Sequence, residues 1–162
     1  EIFDFLIFAR RDIEYPFIPS FIKRISESSF YFALKLKSIE FSKKSKINSI
    51  EKEAFSRSSI QKISNPSSIE FIDDACFSFC DKLNSIKFDE NSKLKTINKH
   101  VFGFTNLKYI VVHNDVNLIC QNAFYHCTSL LSFESNCFKK CDKLFIKCIQ
   151  CFIQQNFFGR SL

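Results

Sequence analysis

Glycine is nearly missing. The 162 residues hold two, Gly103 and Gly159, and this scarcity excludes whole classes of chemistry. A phosphate-cradling P-loop or a dinucleotide-binding turn needs several glycines close together, because backbone must approach the phosphate. The nucleophile elbow of serine hydrolases needs two beside its serine. Tryptophan and methionine are absent, and proline occurs three times. No run reaches the ~20 apolar residues of a membrane span. Residues 2–9 are apolar but short, and Asp4 interrupts them. They lack the basic start and small-residue cleavage site of a secretory signal. Starting at Glu1 and without Met, the chain reads as a mature product or a fragment, so a missing signal carries no weight on export. The N-x-[ST] string Asn65-Pro66-Ser67 is blocked by its proline, which counts against a glycosylated ectodomain.

What is present is the composition of a folded chain, 46% hydrophobic and 25% charged, which argues against disorder. Phenylalanine occurs 22 times. The net charge of +6 is mild. Its densest basic pairs, Arg10-Arg11, Lys43-Lys44 and Lys139-Lys140, form no stripe, so no nucleic-acid partner is expected.

The phenylalanines recur. Phe30, Phe55, Phe77, Phe102 and Phe124 are spaced 25, 22, 25 and 22 residues apart, and each sits in the same frame of apolar positions. In one copy the frame is Ile69, Ile72, Phe77, Cys80, Leu83, Ile86 and Phe88; in the next it is Leu94, Ile97, Phe102, Thr105, Leu107, Ile110 and Val112. Long and short links after each strand-like segment account for the alternation. A weaker copy covers residues 8–25, with Pro16 where isoleucine is expected. The rule then breaks, because Phe138 follows Phe124 by 14 residues. The expected organisation is one array over 1–162, regular over 8–133 and contracted over 134–162, as terminal capping repeats tend to be.

A period of 22–25 falls in the leucine-rich repeat range. In LNSIKF, Ile86 and Phe88 point one way and Ser85 and Lys87 the other, the period-2 pattern of a strand. DDACFSFC suits one short helical or turn element. The expected fold is a repeat solenoid: short parallel strands on one face, short helical or turn elements and links on the other. Its core is a stack of Phe30, Phe55, Phe77, Phe102, Phe124 and Phe138.

The frame I-x-x-I-x-x-x-A-F-x-x-C-x-x-L-x-x-I, carried best by VNLICQNAFYHCTSLLSF and FIDDACFSFCDKLNSIKF, resembles the BspA-like, or treponemal-type, leucine-rich repeat. FDENSKLKTI and NPSSIEFI are similar to that family's two link types. Asp73, Asn98 or Gln121 stands where the family usually has glycine.

Eight cysteines invite a disulfide or zinc reading. The repeat offers another. Cys80, Cys127 and Cys141 share the third position after Phe with Ala33, Ser58 and Thr105; Cys76 and Cys137 share the position before Phe with Ser29, Ala54, Val101 and Ala123. Both positions call for a small buried side chain, a role free cysteine fills. The dense cluster Cys137, Cys141, Cys148 and Cys151 has a central gap shorter than a zinc ribbon's, and its C-x2-C lacks the βαβ context of a thioredoxin-like motif. A metal or thiol module there is kept as an alternative. His100, His113 and His126 are dispersed along the array, and none pairs with Ser or Cys at a catalytic spacing. Neither catalysis nor a cofactor is expected.

Solenoids present extended surfaces to partners. Outward strand positions follow from the register: Tyr15 and Phe17, Ser38 and Glu40, Lys62 and Ser64, Ser85 and Lys87, Tyr109 and Val111, Ser132 and Glu134. On this concave face Tyr15, Phe17, Lys62, Lys87, Tyr109 and Val111 are the candidate partner-binding residues, with Tyr109 and Val111 beside Lys87 as the adhesive spot. The family resemblance implies a non-catalytic protein-binding array, part of a microbial surface antigen or adhesin, at the cell surface or secreted. An intracellular interaction scaffold in the cytoplasm is the alternative.

Overall fold

Isoleucines that alternate with polar residues form strands, and the repeat stacks those strands in parallel. The computed structural model describes residues 5–6, 12–112 and 115–135. In chain order its strands are β1 (Phe5–Leu6), β2 (Phe17–Ile18), β3 (Arg24–Ile25), β4 (Glu40–Phe41), β5 (Ser49–Ile50), β6 (Lys62–Asn65), β7 (Phe71–Ile72), β8 (Ser85–Phe88), β9 (Thr96–Ile97), β10 (Tyr109–Val112), β11 (Leu118–Ile119) and β12 (Ser132–Ser135).

They form two parallel ladders along a solenoid of about five turns. One ladder holds the even-numbered strands. β2 pairs with β4, β6 with β8 and β10 with β12; a bridge from Ser38 to Lys62 joins β4's segment to β6, and β8 lies beside β10. The other holds the odd-numbered strands, with β1, β3, β5 and β7 in one sheet and β9 paired with β11. The expectation of strands on one face only is therefore incomplete. Each coil carries a second strand of two residues, too short for alternation to betray it.

Between an odd strand and the next even one runs the phenylalanine segment. It is a pair of turns; no helix occurs among the described residues. Its N–H groups alternate in direction. Ser28, Phe30 and Phe32 donate to Lys52, Ala54 and Ser56 of the next coil at 3.1, 2.7 and 3.0 Å, while Ser29, Tyr31 and Ala33 donate back to Ser26, Ser28 and Phe30. The pattern repeats down the array, so the turns form a third ladder of inter-coil hydrogen bonds. It requires a left-handed residue on each side of the phenylalanine. Ser28, Glu53, Ala75, His100 and Asn122, two residues before it, have φ of 53–61°; Phe32, Arg57, Phe79, Phe104 and His126, two residues after, have φ of 55–59°. Asp73, Asn98 and Gln121 are not among the left-handed residues, so the glycine missing there leaves no backbone strain.

The alternation of 25 and 22 has two sources. The links differ, as the sequence suggests. In addition, the longer coils insert a turn closed by Leu36 N–H to Ala33, Leu83 to Cys80 and Leu130 to Cys127. The shorter coils pass directly from Ser58 to Ile60 and from Thr105 to Leu107.

The ladders enclose one continuous core. Phe30, Phe55, Phe77 and Phe102 are fully buried, and Phe124 nearly so. Their rings stack at 5.0, 5.1, 5.7 and 5.3 Å between centroids. Phe138 lies outside the described residues, as do 136–162 as a whole. Among the buried polar side chains one amide stands in the inward column of the even-numbered ladder. Asn65, 3% exposed, shares its register with Phe88, and neither its Oδ1 nor its Nδ2 finds a hydrogen-bond partner among the described residues. An unsatisfied buried amide costs about 1–3 kcal/mol. Asn65→Val, which takes the side chain of the equivalent Val112, is expected to raise the urea midpoint of unfolding by a comparable free energy.

Candidate functional site

The even-numbered ladder lays out its outward side chains in two columns. Tyr15, Ser38, Lys62, Ser85, Tyr109 and Ser132 form one; Phe17, Glu40, Ser64, Lys87 and Val111 form the other. Inward neighbours such as Ile63, Ile86 and Ile110 are buried, and this fixes the outward facing of the rest, since a one-residue slip would reverse both faces. Successive rungs are about 4.8 Å apart.

Apolar groups sit at the two ends of this face and charges between. Tyr15 and Phe17 are 63% and 55% exposed; Tyr109 and Val111 are 55% and 57% exposed, and Leu131 next to them is 64% exposed. Lys62 and Lys87 occupy the middle, both exposed. Lys62 pairs in register with Ser85, and Lys87 with Ser64, so their Cα atoms lie on a diagonal of about 8 Å by strand geometry. Glu40 is exposed on the preceding strand. At the first end Lys37 is engaged. Its Nζ meets Glu14 Oε2 at 2.7 Å and lies 5.6 Å from the Tyr15 ring centre; the hydrogen bond to Glu14 and that carboxylate's charge raise the lysine pKa.

A recess of about 460 Å³ flanks the face. It arises from the alternation of coil lengths. The inserted turns at Asp81-Lys82 and around Ser129 belong to longer coils, and the shorter coil between them carries Asn106 and Lys108. The Asn106 amide donates to the Asp81 carbonyl and its Oδ1 accepts from Ser129 Oγ at 3.3 Å. Lys82 and Lys108 line the recess, and among the described residues neither is paired with a carboxylate.

A second exposed feature was not anticipated. The left-handed residues after each phenylalanine stack on the outer turn. Arg57 lies 4.3 Å from the ring centre of Phe79, Phe79 stacks on Phe104 at 4.3 Å, and Phe104 on His126 at 4.9 Å. The stacked groups cover one another's faces, and Phe79 and Phe104 remain 40% and 36% exposed. The planar residue at this position in each copy was the available signal, and it explains the registered placement of His126. His113 lies outside the described residues.

The described cysteines are free. Cys80 Sγ donates to the Phe55 carbonyl at 3.0 Å and Cys127 Sγ to the Phe102 carbonyl at 2.8 Å, each reaching the preceding coil. Burial pushes the Cys80 thiol up to about 12 and raises Cys76 and Cys127 as well, so these sulfurs stay protonated and are poor nucleophiles. Cys137, Cys141, Cys148 and Cys151 lie outside the described residues. Among the described residues no three His, Cys, Asp or Glu side chains gather as a metal site, and no helix is long and apolar enough to cross a membrane.

The BspA type leucine rich repeat region matches residues 3–131 in six copies. No curated protein matches the sequence. Among solved structures, the pneumococcal vaccine antigen PcpA is similar at 32% identity and a TM-score of 0.72, over 76% of this chain and 31% of that one. A leucine-rich repeat protein from Eubacterium ventriosum shares the fold at 18% identity and a TM-score of 0.62, over 83% of this chain and 45% of its own. A leucine rich cell surface protein from Faecalibacterium prausnitzii does so at 22% and 0.51, over 75% and 38%. The chain thus spans less than half the length of each.

Proposed function

The chain belongs to the BspA-type leucine-rich repeat family, and from that premise we propose that it is a non-catalytic array whose concave face binds a protein ligand, displayed as part of a microbial surface antigen. Proteins built from these repeats serve in general as binding scaffolds. The observation that carries the reading is the even-numbered ladder. It exposes Tyr15, Phe17, Tyr109 and Val111 by more than half on strands whose other face is the core. Aromatic side chains held on a rigid sheet are preferred anchors of protein interfaces, since little entropy is lost when they are covered. The likeness to PcpA, a vaccine antigen, supports exposure at a cell surface.

The test is antibody access to the epitope-tagged full-length protein on intact and permeabilised source cells. Labelling of intact cells is the expected result. Labelling only after permeabilisation overturns the surface reading and moves the search to an intracellular scaffold. Tyr109→Ala is expected to leave stability unchanged to within ~0.5 kcal/mol, as for an exposed side chain, and to weaken adhesion of protein-coated beads. Marked unfolding in a urea titration would place Tyr109 in the core instead.

A further inference from the structure

The chemistry of the partner is legible in the distribution of charge over the outward face of the even-numbered ladder and its flank. Lys62 and Lys87 stand on the diagonal of two adjacent strands. Lys82 and Lys108 line the recess beside them, and Lys108 directly precedes β10. None of the four has a carboxylate partner among the described residues, whereas Lys37, at the equivalent position before β4, is bonded to Glu14. Four lysines that form no ion pair among the described residues therefore gather over the middle coils. Immediately beyond them lies the exposed patch of Tyr109, Val111 and Leu131.

We propose that the outward face of the even-numbered ladder takes an extended acidic segment of a protein. Its carboxylates lie across Lys62 and Lys87, with one entering the recess between Lys82 and Lys108, and a large apolar side chain following them covers Tyr109, Val111 and Leu131. This rests on the protein-binding reading above and deepens it. Two observations favour a peptide over a uniform polyanion such as nucleic acid or a sulfated glycan. Glu40 is exposed on the strand before Lys62, and Asp81 lines the recess; a ligand charged at every unit would meet both. The Tyr109 patch, in turn, needs an apolar counterpart that a polyanion does not carry. Desolvating Tyr109 and Val111 gives affinity, and the lysines set register and the rate of encounter.

The experiment selects binders to the immobilised full chain from a random twelve-residue peptide display library, with heparin and single-stranded DNA as parallel probes. The expected result is enrichment of peptides with clustered Asp or Glu beside a large apolar residue. Their affinity should fall at least roughly tenfold in Lys62→Glu/Lys87→Glu, the size expected for opposed charges at an interface. It should weaken as salt rises and fall again with Tyr109→Ala. Circular dichroism and the urea midpoint show that the variants remain folded; Lys62→Gln/Lys87→Gln, with an intermediate loss, is the second measure. Enriched peptides without acidic residues, bound through Tyr109 but indifferent to charge reversal, overturn the acidic partner and leave the protein-binding reading standing. Tight, steeply salt-dependent binding of heparin or DNA with no peptide enriched overturns both. Failure of every probe to bind overturns the acidic-peptide proposal as well.

Discussion

Phe77→Ala is expected to destabilise the array by about 3–5 kcal/mol, and Phe102→Ala by a similar amount, the range for truncating a buried phenylalanine. Both side chains are fully buried. Each ring is covered on both faces. Phe77 stacks between Phe55 and Phe102 at 5.1 and 5.7 Å, within 8° of parallel to both. The backbone around it is tied to the next coil by the bonds of Ala75, Phe77 and Phe79 to Lys99, Val101 and Gly103, so the gap cannot close by collapse of one coil alone. In a solenoid each coil touches only its neighbours. A break in the middle therefore separates the coils before it from those after it, and the urea transition of Phe77→Ala should broaden as well as shift. Phe124, at 7% exposure and toward the end of the described array, has less to lose. A shift below about 1 kcal/mol for Phe77→Ala would mean that the stack does not hold the coils together.

The core was legible because its requirement falls on side chains. A coil cannot bury an apolar face alone, so Ile25, Ile50, Ile72, Ile97 and Ile119 recur in register with the phenylalanines, and all five are buried. The outward positions follow by alternation once the inward ones are known, which is how Tyr109 and Val111 could be placed on the surface. The small-residue columns were legible for the same reason. Ser58 and Thr105 lie beside Cys80 and Cys127 at 3.5 and 3.3 Å, and all four are buried. What stayed hidden belongs to the backbone. The odd-numbered strands span two residues each, and a pair such as Thr96-Ile97 carries no period. The recess at Asn106 arises from one residue more or less per turn, which shifts no apolar position out of frame. The left-handed turns stayed hidden too, because serine, glutamate, alanine, histidine and asparagine share no side-chain property at Ser28, Glu53, Ala75, His100 and Asn122.

Ala75 turns that backbone feature into an opposed pair of expected results. Its φ is 54°, a conformation that costs an L-residue with a Cβ roughly 1–2 kcal/mol. The side chain is one methyl group at a half-exposed position, so little packing is lost when it is removed. Ala75→Gly should therefore stabilise the protein by up to about 1 kcal/mol, the relief of strain being partly offset by the greater freedom of glycine in the unfolded chain. Ala75→Pro should act in the opposite sense and far more strongly. Proline holds φ near −65° and has no N–H, whereas Ala75 needs positive φ and donates to the Lys99 carbonyl at 2.9 Å. A loss of about 3 kcal/mol or more is expected. Urea unfolding of the two variants separates a backbone requirement from a side-chain one. If both substitutions lowered the midpoint alike, the left-handed turn would be wrong and the methyl group would be the feature that matters. A gain for glycine beside a collapse for proline places the constraint in the main chain. Glu53→Gly in the preceding coil, at φ 54°, should then repeat the gain, because the third ladder makes the same demand of each coil it joins.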